Sequence, residues 1–328
     1  MSDKKMKAIV ATGYGSPDVF QFQEVKTPKP KKDEVLIKII NSSATTADTL
    51  MRQGKPSFAR LFLGLRKPKN SIPGTGFSGT VEQVGLKVTK FCQGDRVFGE
   101  TTLGFGANAE YLTISENAVI LKMPVSLDFT EAACFCDGHL TSFNFLVELA
   151  KLKPGQKVLI NGASGALGTS AVQFAYQKNC HVTAVCSAKN FTLVKSLGAE
   201  KLIDYNHEDF TNSNKTYDII FDTVGKSSFR KCRKILSEKG VYISPVLRIF
   251  LLLNMMRTTL SSKKAIFQAT GTKSNDKLRD LLSEILKVYN AGKLQTIIDK
   301  QFPLEELSEA HRFIEKGHKR GNVVISNT

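Results

Sequence analysis

The stretch Lys157–Lys189, KVLINGASGALGTSAVQFAYQKNCHVTAVCSAK, constrains the fold more than any other part of the chain. Val158, Leu159 and Ile160 have the apolar make-up of a buried strand, and they run into Gly162-Ala-Ser-Gly165-Ala-Leu-Gly168. A helical run follows to about Lys178, then a second strand over His181–Cys186. Strand, glycine turn, helix and strand within roughly 30 residues is the setting in which such glycines cradle a dinucleotide. The spacing is G-x-x-G-x-x-G rather than G-x-G-x-x-G, so the flanking elements carry the inference as much as the glycines do. Glycine lets the backbone bend tightly and approach a pyrophosphate, whose charge faces free N–H groups and the positive end of the helix dipole.

In such a unit the second strand usually ends in an acid that holds the adenosine ribose hydroxyls of NAD. No Asp or Glu occurs from Gly162 to Ala199, and the strand ends Cys186-Ser187-Ala188-Lys189. A hydroxyl and an ammonium suit a 2′-phosphate, which offers several acceptor oxygens and about two negative charges. The expected cofactor is therefore NADPH.

Around this unit the texture changes along the chain. The first ~120 residues read as short strands punctuated by turns, with strands expected at Lys7–Thr12, Val35–Ile40, Thr80–Val84, Arg96–Phe98 and Tyr111–Ile114. From Leu127 helices and strands alternate: a helical Asp128–Ala150, the opening unit, then strands at Lys201–Asp204, Asp218–Asp222 and Gly240–Ser244. That alternation predicts a parallel, doubly wound sheet, and the fold class is α/β. A helix bearing Leu278, Leu281, Leu282, Ile285, Leu286 and Tyr289 on one face stops at Gly292; a second helix over about Pro303–Lys316 and a strand at Asn322–Ile325 follow.

At 328 residues there is room for two domains. The formal charge of +16 draws anions, whether phosphorylated cofactors, nucleic acid or an anionic lipid surface. No nucleic-acid motif is visible and aromatics do not interleave with the Lys/Arg clusters, so nucleic acid is disfavoured as a partner. The six cysteines form no C-x-x-C pair, which argues against a structural zinc or a dithiol redox centre and for a reducing, cytoplasmic setting. Met1-Ser-Asp-Lys-Lys-Met carries no apolar leader, and the longest apolar run, Val246–Met256, is about half the length needed to span a bilayer.

Taken in order, the motifs resemble the medium-chain dehydrogenase/reductase superfamily, specifically its zinc-free quinone reductase and alkenal reductase branch. The likeness rests on Met6-Lys-Ala-Ile, Ile72-Pro-Gly-Thr-Gly-Phe-Ser-Gly-Thr-Val, Val84-Gly, Gly94-Asp-Arg-Val-Phe-Gly and Glu131-Ala-Ala, and on the Gly162–Gly168 unit. Leu197-Gly-Ala, Ile203-Asp-Tyr, Tyr217-Asp-Ile-Ile-Phe-Asp-Thr-Val-Gly225 and Gly321-Asn-Val-Val-Ile complete it. The resemblance implies a GroES-like β-domain over 1–123 and 275–328 and a Rossmann NADPH-binding domain over 124–274, with the active site in the cleft between. Zinc-dependent members carry Cys and a His-Glu pair where this chain has Thr45 and Thr75-Gly76, and hydroxyls are poor zinc ligands beside thiolate and imidazole. No metal is expected, and the implied reaction is hydride transfer from NADPH to a quinone or an α,β-unsaturated carbonyl.

By the same resemblance, Gly162, Ser164, Gly165, Ala166, Leu167 and Gly168 hold the pyrophosphate, Ser187, Lys189 and Tyr205 surround the adenosine phosphate, and Thr141 and Gly225 lie near the nicotinamide. Tyr111, Asp48, Asp137 and His139 are the titratable candidates for supplying a proton, each with an ordinary packing or capping role as its alternative, and water serves equally. Two apolar, basic segments, Phe58–Lys67 and Val246–Met256, admit three roles: an acceptor pocket or lid, the contact of a homodimer, or a peripheral seat on an anionic membrane. Two other readings of function stay open. One is an NADPH-binding basic protein acting mainly on RNA or a membrane surface; the other is a reductase or dehydrogenase of another carbonyl.

Overall fold

The computed structural model describes residues 4–102 and 105–327, without the side chain of Phe62; Met1–Asp3, on which the absence of a leader was partly read, lie outside the described residues. The strands, in chain order, are β1 (Lys5–Ala11), β2 (Phe20–Lys26), β3 (Glu34–Ala44), β4 (Gly76–Val84), β5 (Arg96–Glu100), β6 (Tyr111–Ser115) and β7 (Val119–Lys122). They continue with β8 (Lys157–Asn161), β9 (His181–Cys186), β10 (Lys201–Asp204), β11 (Tyr217–Asp222), β12 (Leu236–Ile243), β13 (Lys264–Ile266), β14 (Ile298–Pro303) and β15 (Asn322–Ser326). Five helices matter below: α1 (Thr46–Arg52), α2 (Ala166–Gln177), α3 (Ile249–Thr258), α4 (Asn275–Asn290) and α5 (Leu307–Glu315).

The chain divides into two compact units, one of Met1–Asp137, Ser274–Leu282 and Ile298–Thr328, the other of Gly138–Lys273 and Ser283–Ile297. Packing thus divides the chain after Asp137 and within α4, whereas the family pattern had drawn the borders at 123/124 and 274/275.

The first unit is a mainly antiparallel β-structure in which β14 and β15 pair in parallel. Its large sheet runs β14-β15-β3-β4-β5-β7, with β6 also pairing with β3, and β1 and β2 form a separate ribbon. Alternation explains the core: Val35, Ile37 and Ile39 of β3 point to one face and pack with Phe77, Val81, Val97, Leu112, Ile114 and Ile120. A second core gathers Phe20, Ala44, Phe302, Leu307, Ile314, Val323 and Ile325 under α5. Sequence reading missed β2, β7 and β14. β2 exposes most of its side chains, so no apolar period announces it, and β7 and β14 carry only short apolar stretches.

The second unit is the expected doubly wound sheet, in the order β10-β9-β8-β11-β12-β13, with all pairs parallel. β8 lies at the centre because Val158, Leu159, Ile160 and Asn161 are buried, the near-continuous burial of a strand covered on both faces. The winding reverses between β8 and β11, and ligands of such sheets bind where it does, at the carboxyl ends of the strands. The helical run expected at Asp128–Ala150 is present, but it includes π-helical stretches at Phe135–Leu140 and Asn144–Leu149. π-turns of this kind concentrate at functional positions.

Candidate cofactor and active site

The glycine turn closes as its spacing requires. Gly162 adopts a positive φ of 80°, a conformation costly for a side chain, and the N–H groups of Gly162 and Ala163 both donate to the Val185 carbonyl of β9, at 3.0 and 3.1 Å. Gly165 caps α2, and in the first turn of a helix N–H groups such as those of Ala166 and Leu167 have no intrahelical acceptor. A Cβ on Gly165 would meet only the Gly162 carbonyl, at 3.6 Å, so space lies open over the turn. A Cβ on Gly168 would stand 2.1 Å from the same carbonyl, so that glycine brings helix and strand together. A bare backbone, unpaired N–H donors and a helix dipole fit a pyrophosphate, and a dinucleotide cofactor fits these residues.

Sequence reasoning missed Asn190. Its side-chain amide nitrogen donates to Ser164 Oγ at 3.0 Å, tying the turn to the segment after β9, while its carbonyl oxygen is buried without a partner. A lone Asn after a strand carries no signal for this role. Ser187 is half-buried and Lys189 exposed at the tip of β9, and Tyr205 is exposed after β10. The acid-free reading also stopped too early, at Ala199. Parallel pairing sets Asp204 of β10 opposite Cys186, where its carboxylate accepts from the Ala188 N–H and, at 3.0 Å, from the Asn206 N–H. These bonds hold its pKa below the usual carboxylate range.

Gly225, with a φ of 70°, sits on the loop after β11 that Asp222 fixes. Asp222 is fully buried: Oδ1 accepts from Asn161 Nδ2 (2.9 Å) and the Gly225 N–H (2.9 Å), and Oδ2 from the Ser227 N–H (3.0 Å) and the Tyr242 hydroxyl (2.8 Å). Burial, then the Asp222 charge, pushes the Tyr242 pKa up, so the phenol stays a donor. Thr141 is half-buried beside Ser142, whose hydroxyl donates to the Leu167 carbonyl at 2.8 Å and so fastens its helical run to α2. The cofactor candidates therefore all lie in the second unit, at the carboxyl ends of its strands or on the segments next to them.

The four titratable candidates separate. His139 is buried, with Nδ1 2.9 Å from Ser170 Oγ and Nε2 3.0 Å from Thr296 Oγ1; burial lowers its pKa to about 3. That ring is neutral and engaged at both nitrogens, an arrangement that braces α2. Tyr111, on β6, lies within 3.5 Å of Lys4 Nζ and packs against the Met6, Ala8 and Ala109 cluster. Asp48 and Asp137 share an electrostatic environment in the first unit with two residues sequence reading missed, Glu100 and Lys319. Asp48 is the N3 residue of a reciprocal cap on α1: its N–H donates to Thr45 Oγ1 (3.0 Å), and Asp48 Oδ2 accepts from the Thr45 N–H (2.8 Å) and hydroxyl (2.7 Å). Burial nonetheless raises its pKa to about 7, and burial with the charges of Asp137 and Asp48 raises Glu100 to about 7. Asp137 is raised by burial and pulled back by Lys319, whose own pKa burial lowers. Glu100 ends a strand and Lys319 follows a helix, so neither position singles itself out in a one-dimensional reading.

This cluster sets a sign for stability. An unfolded glutamate ionises near pH 4, roughly its ordinary value, whereas folded Glu100 does so at about 7. Its contribution is therefore present below about pH 4 and lost as the pH rises to 7. Glu100→Gln is expected to stabilise the protein by about 1–2 kcal/mol at pH 8, a figure discounted for a half-buried side chain, and by nothing measurable at pH 4. Urea melts of both proteins at the two pH values check this; an equal effect at both would refute the assignment.

A zinc ion does not fit the residues present. The Thr45 hydroxyl is committed to Asp48, and any side chain at position 76 is blocked, since a Cβ there would lie 2.5 Å from Ser43 Oγ and 2.8 Å from the Ala133 carbonyl. Among the described residues no group of three or more His, Cys, Asp or Glu is placed to hold a metal ion.

Comparison with known proteins agrees with this architecture. Residues 31–125 match the model of the alcohol dehydrogenase GroES-like domain, and residues 197–325 match the model described as zinc-binding dehydrogenase. The chain is 32% identical to the chloroplastic quinone-oxidoreductase QR1 of Triphysaria versicolor over 99% of both sequences. It is 29% identical to the chloroplastic NADPH-dependent alkenal/one oxidoreductase of Arabidopsis thaliana, over 98% of this chain and 80% of that one. The solved structure of the quinone oxidoreductase from Coxiella burnetii superposes with a TM-score of 0.87 at 30% identity, covering 99% of this chain and all of the other. With a GroES-like β-unit, a doubly wound unit and end-to-end similarity to such enzymes, the chain is an oxidoreductase of the medium-chain dehydrogenase/reductase superfamily, among its quinone oxidoreductases and alkenal reductases.

Proposed function

We propose that this protein is a zinc-independent reductase that uses NADPH to reduce a quinone or an α,β-unsaturated carbonyl. The observation that carries the reading is the open, acid-free turn at Gly162–Gly168 with a cationic tip at Ser187 and Lys189. When bound, NADPH supplies the hydride. The first-turn N–H groups of α2 receive the pyrophosphate, and Asn190 holds Ser164 in the turn. Lys189, exposed and free to swing, meets the 2′-phosphate; Asp204, at the end of the neighbouring strand, is occupied by backbone N–H groups. Gly225 and Thr141 flank the nicotinamide in this reading.

Without a metal to polarise an alcohol, acceptors that delocalise the incoming charge are favoured, and quinones and enones do so. The proton comes from water or from Asp137 or Asp48, which burial keeps protonated further towards neutral pH than ordinary carboxyls. Tyr111 and His139 have the weaker claim, Tyr111 for its packing and His139 for its two filled hydrogen bonds.

The test is NADPH consumption with a panel of quinones, enals and simple aldehydes, with NADH as the control. Turnover with quinones or enals and a clear NADPH preference is the expected result. Lys189→Glu should raise the KM for NADPH about 10–100-fold, the worth of a charge-assisted contact, and leave that for NADH unchanged. Equal use of both cofactors, or turnover confined to simple aldehydes, defeats the proposal.

A further inference from the structure

The second unit carries an apolar surface that neither the cofactor site nor the core uses. α3 is apolar on two faces. Its inner face is fixed to the unit: Leu251 joins the core of Ile220, Phe229, Tyr242 and Ala265, Met255 Sδ accepts from the Phe267 N–H at 3.1 Å, and Thr258 Oγ1 accepts from the Ala265 N–H at 3.1 Å. Its outer face, spaced at one helical stripe, bears Ile249 (67% exposed), Phe250 (75%), Leu253 (42%) and Met256 (75%), with Leu260 (100%) just beyond. Scattered exposed apolar residues need no explanation, but five on one stripe of a well-anchored helix do.

The chain segment that carries this stripe is strongly cationic. Between Asp222 and Asp276 the sequence has eleven Lys or Arg and a single acid, Glu238. Arg248 and Arg257, both exposed, bracket the stripe. Lys264 Nζ donates to the Thr258 carbonyl at the end of α3, and Lys263 Nζ donates to the carbonyls of Arg233 and Leu236. Apolar side chains edged by long cationic ones, whose stems lie along apolar surface while their heads stay in water, make an interfacial helix.

We propose that the outer face of α3 seats this protein on an anionic lipid surface, with Phe250, Leu253 and Met256 entering the headgroup boundary. Arg248 and Arg257 meet the lipid phosphates and carboxylates. Charge selects the occupant. A two-fold contact with a second copy through this face would set one cationic patch against another, with only Glu238 in the stretch to offset it. An anionic bilayer is complementary to both features at once, and stable seating on a membrane takes two such signals. The contact is peripheral, since among the described residues no helix is long and apolar enough to cross a membrane. It does not depend on the reaction proposed above.

The chain contains no tryptophan, so Phe250→Trp installs a single reporter on the exposed stripe. Its emission is expected to shift to the blue on adding phosphatidylserine–phosphatidylcholine vesicles at low salt, to stay unchanged with phosphatidylcholine alone, and to revert at high salt. In flotation assays, Arg248→Glu with Arg257→Glu, and separately Leu253→Ser with Met256→Ser, should each lower the bound fraction at least about tenfold. Thermal melts confirm that these exposed substitutions leave the fold intact. No spectral shift, undiminished flotation of the variants, or a shift that follows protein concentration without vesicles, which would give the face to a second copy, each overturns the proposal.

Discussion

Gly168→Ala is expected to abolish NADPH binding and to cost about 3 kcal/mol of stability, the upper range for forcing atoms into a packed site. The added Cβ would lie 2.1 Å from the Gly162 carbonyl and 2.6 Å from both Ala163 Cα and its carbonyl carbon. All three are backbone atoms of the turn, so no side chain can swing aside. The helix has to back away from β8, and the N–H groups of its first turn leave the positions in which they face the pyrophosphate. Gly165→Ala is the matched control: its Cβ has only a 3.6 Å contact and its φ of −82° suits any residue. That variant should melt with the wild type yet bind NADPH at least about tenfold more weakly, because its methyl group fills the space over the turn. Thermal melts and fluorescence titration with NADPH separate the two effects. A Gly168→Ala protein that melts and binds normally would show that the turn is not the cradle.

The second large effect lies across the sheet. Asp222→Ala should destabilise the protein by about 3–5 kcal/mol, since it strands several buried donors at about 1–3 kcal/mol each, partly relieved by relaxation. One carboxylate satisfies Asn161, the N–H groups of Gly225 and Ser227, and the Tyr242 hydroxyl, and nothing in the alanine variant replaces it. Each stranded donor is a desolvated group that water satisfied in the unfolded chain. Asp222→Asn keeps the shape but turns an NH2 towards donors, so it should fall between alanine and the wild type. Denaturant melts give the order. If Asp222→Ala is as stable as the wild type, the network does not anchor the loop that carries Gly225.

What the sequence made legible was local. The glycine spacing, the apolar β8 ahead of it and the helix after it lie within one short segment, and the structure builds them as that segment suggests. The alternating strands of the first unit were found at shortened bounds, since pairing extends β3 to Ala44 and β4 back to Gly76, beyond the apolar residues that signal them. What stayed hidden depends on residues far apart in the chain. Glu100, Asp48 and Asp137 influence one another only after folding, and Asp204 reaches Ala188 only because two parallel strands set the register. α3 escaped notice as a helix for another reason. Apolar on its buried and its open side alike, it lacks the periodic contrast by which an amphipathic helix is recognised.

The order in which the β-unit is completed follows from where its pieces lie in the chain. β15 pairs with β3 through Val323–Ala44, Val324–Ser43 and Ile325–Ser42, partners separated by nearly the whole polypeptide. A ribosome releasing this chain from its N-terminus leaves the Asn41–Ala44 end of β3 without its β15 partner until the final stretch emerges, while the strands of the doubly wound sheet are already made. A nascent chain halted before Asn322 should therefore present an open sheet margin, prone to pair with other chains and attractive to chaperones.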